Sequence, residues 1–173
     1  MPSIQRCELP AGALLGKYQL GGDYTDCYFT EVAGRVSHAA YVEAFYSTAL
    51  FKVERLLLSW LVAKPSTDDD ARRLAAGDLE SFAAWSVEAR SADQLLLCDF
   101  QGRTRSWLMV SGAQSGAIES TRLYFGSAVV PVVSTTSGTG TLGWSFRLLL
   151  GFHKVYSRAL LYAAQSRLGR ESR

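Results

Sequence analysis
A chain of 173 residues that is 48% hydrophobic can fill one core and is too short for two comfortable domains, so a single domain over 1–173 is expected. Eighteen basic against sixteen acidic residues leave a formal charge of +2, far from the concentrated positive field that holds a phosphate backbone, which excludes nucleic acid as a partner. The three cysteines, Cys7, Cys27 and Cys98, include no CxxC pair and indicate neither a disulfide framework nor a zinc site, and with only two histidines a multi-histidine metal centre is excluded too. No metal and no cofactor is expected. The opening MPSIQRCELPAGALLG lacks the pattern of a signal peptide, and no apolar run approaches the roughly 20 residues of a membrane span. The expectation is a cytoplasmic protein without integral membrane contact.

In chain order, residues 1–22 carry Pro10 and several glycines and read as an extended leader ending in the Gly21-Gly22 turn. DYTDCYFTEV, from Asp23 to Val32, is rich in aromatic and β-branched residues without a helical period, which predicts a strand ended by Gly34. Ser37 can cap a helix over Ala39 to Tyr46, and Thr48 a second one through Ala63, where Lys52, Arg55 and Ser59 form a narrow polar stripe. The aromatics Tyr41, Phe45, Tyr46, Phe51 and Trp60 are spaced as helix-packing residues. Pro65 to Gly77 is the most legible helix. Ser66 or Thr67 caps it, Asp68, Asp69 and Asp70 meet the positive end of the dipole, and Gly77 closes it. Three consecutive side chains on a helix splay about 100° apart, so these carboxylates cannot converge on one ion.

Beyond Phe82 the period drops to two. Trp85, Val87 and Ala89 alternate with Ser86, Glu88 and Arg90, and QLLLCDF and RTRSWLMV follow around a Gln101-Gly102 turn. A two-residue hairpin there sets Asp99 opposite Thr104 and Leu96 opposite Trp107. SGAQSGAIES reads as a flexible loop, Thr121 to Pro131 as one more strand, STTSGTGT as a linker, and Leu142 to Leu168 as a C-terminal helix followed by a frayed tail over 169–173. About five strands are legible, and no internal repeat is present.

This order of strand, helices, antiparallel meander and long helix resembles the helix-grip architecture of the Bet v 1-like, START and polyketide-cyclase (SRPBCC) superfamily. At residue level RTRSWLMV, TRLYFGSAVVP and LGWSFRLLLGFHKVYSRALL look like bacterial members in which a strand with a WL pair precedes a T-x-L strand and a helix containing FH. The resemblance covers nearly the whole chain. It implies an α+β fold in which a curved antiparallel sheet wraps a long C-terminal helix, with short helices after the first strand. It further implies a pocket between helix and sheet for an apolar small molecule. The helix over Pro65 to Gly77 departs from the commonest form of the family.

Projected at about 100° per residue, Phe146, Leu149, Leu150, His153, Ser157, Leu160, Leu161, Ala164 and Leu168 share one face of the last helix. His153 lies at its centre with Ser157 one turn on. His153 is then a buried neutral imidazole, a hydrogen-bonding contact to a ligand, or a general base. Trp85, Val87, Leu95, Leu97, Leu108, Asp99, Thr104 and Ser106 form one sheet face, and Leu96, Cys98, Phe100, Trp107 and Met109 the other, both apolar. Which one looks inward stays open, because a one-residue slip reverses it. The expected ligand contacts are His153, Ser157, Phe146, Leu149, Leu150, Leu160, Trp85, Leu97 and Trp107.

The leading expectation is a protein that binds a small hydrophobic or aromatic molecule, and a homodimer is admitted. The alternatives are a cyclase- or hydrolase-like enzyme using His153 with Asp99 or Ser157, and a non-catalytic structural or partner-binding domain with a filled core. An apolar cavity of about 300 Å³ or more would favour the first.

Overall fold
The computed structural model describes residues 3–53, 66–115, 118–130 and 144–171, and within them the side chains outside 114–118, 144–155 and 170–171. The strands are β1 (Gln5–Arg6), β2 (Tyr24–Ala33), β3 (Ser81–Phe82), β4 (Trp85–Arg90), β5 (Gln94–Asp99), β6 (Thr104–Ser115) and β7 (Ile118–Val129). The helices are α1 (Gly16–Leu20), α2 (His38–Tyr46), α3, helical over 49–53, α4 (Asp68–Ala76) and α5 (Trp144–Glu171). The fold is α+β, with one antiparallel sheet ordered β1-β2-β7-β6-β5-β4-β3, so the first long strand lies beside the last.

Local chemistry sets the helix ends. The hydroxyl of Ser37 accepts from Ala40 N at 3.1 Å, and that of Thr48 from Phe51 N at 3.2 Å. Thr67, not Ser66, caps α4 in a reciprocal box with Asp70, and Gly77 ends it at φ 91°, a left-handed conformation that glycine adopts without cost. The first-turn aspartates thus serve the helix. Residues 54–63 of the expected second helix lie outside the described residues.

The β5–β6 turn has the register read from the sequence, with Leu96 opposite Trp107 and Leu97 opposite Ser106. That register decides the faces. Leu95, Leu97, Leu108, Leu123, Phe125 and Tyr28 pack against α2, α4 and α5 in the main core, with Trp85 and Val87 beside them. Leu96, Trp107, Met109, Tyr124, Cys27 and Ala128 form a second core on the opposite face. Both faces are covered, so both are apolar.

Four expectations change. The leader is not merely extended: β1 pairs with β2, α1 follows, and Leu9, Ala13, Leu14, Leu15 and Tyr18 roof the second core. The amide of Gln94 ties this roof down. Its Oε1 accepts from Leu14 N and from Trp107 Nε1, each at 2.9 Å, while its Nε2 donates to Gly12 O at 3.2 Å. Glu88 adds a second tie, accepting from Tyr18 Oη and from Arg105 Nε at 2.5 Å each. Second, SGAQSGAIES is not a loop at its ends. β6 runs on to Ser115 and β7 starts at Ile118, with Gly112 opposite Thr121 and Ala113 opposite Ser120, because the ladder needs only backbone groups. Third, the sheet has seven strands rather than about five; β1 and β3, two residues each, are too short to leave a periodic signal. The linker STTSGTGT lies outside the described residues, and α5 extends through Glu171 where a frayed tail was expected from 169.

Along the described part of α5, Ser157, Leu160, Leu161, Ala164 and Leu168 are buried and Arg158 is exposed, the polarity expected from the helical projection. Two bonds fix its far end: Thr30 Oγ1 donates to Gln165 Oε1 at 3.1 Å, and Arg167 Nη1 donates to Ser47 O at 3.1 Å. No helix among the described residues is long and apolar enough to cross a membrane.

Candidate functional site
Between the helix-facing side of the sheet and α5 lies a cavity of about 140 Å³. Its floor is Trp85 from β4, Thr104 and Ser106 from β6, and Phe125 and Ser127 from β7. Phe45 and Phe51 close one side, and Tyr156, Ser157 and Leu160 form the roof. The walls are therefore aromatic and aliphatic, with hydroxyls set among them. This balance suits an apolar molecule oriented by a few polar groups. The volume falls short of 300 Å³ and matches a single aromatic ring, since a dry cavity of about 150 Å³ takes up benzene.

The polar floor is a consequence of register. Asp26 on β2 stands opposite Ser127 on β7, and Ser127 opposite Ser106 on β6, so three polar side chains form one rung across the sheet. Asp26 is 3% exposed, and its Oδ1 accepts from Ser127 Oγ at 2.5 Å and Ser127 N at 3.2 Å. Ser106 Oγ shares a 3.0 Å hydrogen bond with Tyr46 Oη, reaching in from α2. Tyr24, two residues before Asp26 on the same side of β2, has its pKa pushed up to about 12, chiefly by burial and then by the charge of Asp26.

Trp85 is the wall residue whose polar group is left over. Its indole Nε1–H is buried and has no partner among the described residues, although such a donor normally finds one. Trp85 is also one of the residues that line the cavity.

Of the expected contacts, Trp85, Ser157 and Leu160 line this cavity together, and Leu97 is fully buried in the core on the same sheet face. Trp107 is a correction. It sits on the opposite face beneath the leader, with its indole nitrogen already bonded to Gln94, because neighbouring residues of a strand point to opposite sides. The side chains of His153, Phe146, Leu149 and Leu150 lie outside the described residues. Asp99 is held by its own turn: Oδ1 accepts from Arg103 N at 2.7 Å and Thr104 N at 3.0 Å, and Oδ2 accepts from Thr104 Oγ1 at 3.3 Å. A carboxylate so occupied anchors a hairpin.

Asp26, Ser127 and the Tyr46–Ser106 pair escape the sequence reading. The alternation of Tyr24, Asp26, Tyr28 and Thr30 along DYTDCYFTEV is the signal that marks Asp26 as facing the same way as Tyr28. No group of three or more His, Cys, Asp or Glu among the described residues is placed to hold a metal ion. No known family model matches the chain, and no curated protein matches it.

Proposed function
We propose that this chain is a helix-grip protein of the Bet v 1-like kind, working in the cytoplasm, which binds a small, largely apolar or aromatic molecule carrying a hydrogen-bond acceptor. Support for the architecture comes from the strand order, which sets β2 beside β7, from the helices inserted after β2, and from the contact of α5 with the sheet through Leu160, Leu161 and Ala164. The observation that carries the ligand is a cavity whose aromatic and aliphatic walls hold the hydroxyls of Thr104, Ser106, Ser127 and Ser157, and which Trp85, with a buried Nε1–H unpartnered among the described residues, also lines. A ligand oxygen or nitrogen there would remove the cost of leaving that donor unmade, about 1–3 kcal/mol. The described cavity has room for about one ring, or for the tip of a longer chain. The Asp99-based acid/base reading is not carried forward, because that carboxylate is engaged in its turn.

The test is a titration of the protein with phenol, benzyl alcohol, toluene and octanoate, followed by Trp emission and by the indole N–H resonance of Trp85. Saturable binding is expected for the ligands with an acceptor, with the Trp85 indole proton moving downfield. Trp85→Phe should weaken those ligands about three- to tenfold and leave toluene nearly unchanged, the worth of one hydrogen bond. If nothing on the panel binds saturably, the ligand-binding reading fails and a filled-core structural domain takes its place.

A further inference from the structure
On the opposite face of the sheet, where the leader joins it, Cys7 and Cys27 meet. The β1–β2 register sets Gln5 against Phe29 and Arg6 against Tyr28, and one step further Cys7 N donates to Cys27 O at 3.0 Å. The two sulfurs lie 3.2 Å apart, and both thiols are free. Residues directly opposite on antiparallel strands have Cα atoms about 4.5–5.5 Å apart, inside the span a disulfide bridges. Cys27 is buried and Cys7 half-buried, and both border a surface pocket of about 400 Å³ together with Arg6, Glu8, Gln19, Thr25 and Asp26. The pocket walls thus offer the basic side chain of Arg6, the acidic side chains of Glu8 and Asp26, and further hydrogen-bonding groups beside the more accessible sulfur.

We propose that Cys7 and Cys27 are a reversible dithiol–disulfide pair, oxidised by a low-molecular-weight zwitterionic disulfide of the glutathione type that enters this pocket. The environment divides the labour between the sulfurs. The hydrogen bond with Cys27 lowers the pKa of Cys7, with the charge of Arg122 helping, and the same pairing together with burial raises that of Cys27. The Cys7 thiolate attacks one sulfur of the small disulfide, giving a mixed disulfide and expelling one thiolate. Cys27, losing its proton to that departing thiolate, then attacks Cys7 Sγ and expels the second. The protein gives up two electrons and one proton from each thiol, and the small disulfide becomes two thiols. The product is a covalent staple between the leader and β2, closing the roof over the second core.

The full chain is equilibrated in glutathione buffers of stepped ratio, quenched with acid, alkylated in denaturant and mapped by mass spectrometry. The expected result is loss of alkylation at Cys7 and Cys27 together as the buffer becomes oxidising, with Cys98 alkylated throughout, one peptide joining residues 7 and 27, and full recovery on adding reductant. Cys27→Ser, or Cys27→Ala should serine prove disruptive, is expected to trap glutathione on Cys7, whereas Cys7→Ser leaves Cys27 unmodified. With the neutral disulfide of 2-mercaptoethanol as oxidant, the wild type should react more slowly than with glutathione disulfide, and Arg6→Gln should erase that preference. Three outcomes overturn the proposal: both thiols alkylating fully in every buffer, a bridge or adduct that involves Cys98 instead, or oxidation at equal rate by charged and neutral disulfides.

Discussion
Ser127 is suspended from Asp26: its hydroxyl and its amide both bond to Oδ1 of a carboxylate that is itself sealed from water. The other oxygen, Oδ2, has no partner among the described residues, so the carboxylate is held from one side only. Asp26→Ala strips the Ser127 amide of its acceptor and is expected to cost about 1–3 kcal/mol in urea unfolding. Asp26→Asn keeps one acceptor oxygen and removes the burden of burying a charge, so it should cost less than the alanine variant. An asparagine variant as unstable as the alanine would show that the charge itself, rather than the acceptor, holds the rung.

Gly126 has no room for a side chain. A Cβ there would stand 2.9 Å from Asp26 O, from Leu15 Cδ2 and from Trp107 Cε3. Gly126→Ala should therefore cost about 1–3 kcal/mol, as overpacking does, and should loosen the leader, because Leu15 is the neighbour most free to retreat. Faster proteolytic cutting within residues 9–20 and a red-shifted Trp emission would report it. Gly112→Ala on the adjacent strand meets nothing within 4 Å and serves as the control, with little change expected.

His38, at the start of α2, is half-buried. Its pKa is lowered, first by burial and also by the charge of Arg90, with a backbone bond to Leu108 acting the other way. A base whose folded pKa lies below its unfolded value of about 6.5 binds protons more readily when unfolded. The stability that follows is whole above pH 6.5 and is lost as the pH falls from there through the lowered folded value. Denaturant midpoints between pH 8 and pH 5 should fall in that window, and His38→Gln should flatten the fall. A wild-type profile level across the window would place the imidazole in solvent.

The β5–β6 hairpin is legible in the sequence because local chemistry dictates it. Asp99 is placed to accept from the turn amides, Gly102 takes φ 70°, and the register follows. The helix caps at Ser37, Thr48 and Thr67 are readable for the same reason. The inward face is not, because Leu95 and Leu97 on one side are matched by Leu96 and Trp107 on the other. The cause is the leader, whose Pro10 and glycines look like loop while Leu9, Leu14 and Leu15 act as core. Trp85, Ser157 and Leu160 were within reach of pattern reading, since each lies on a periodic apolar face. The Asp26–Ser127–Ser106 rung was not, because it joins residues 26, 106 and 127 through strand pairings that no local period encodes.

The roof over the outer core also imposes a schedule on the growing polypeptide. Leu14 emerges first but binds the Gln94 amide 80 residues later in the chain, and β2 finds its partner only when β7 has been made. During synthesis β1 can close on β2 early, but the long edge of β2 that β7 covers must stay open until β7 has been made. Pro10 and the glycines of residues 1–22, which hide the structural role of that segment from a reader of the sequence, interrupt its apolar residues and keep it from pairing wrongly through that wait.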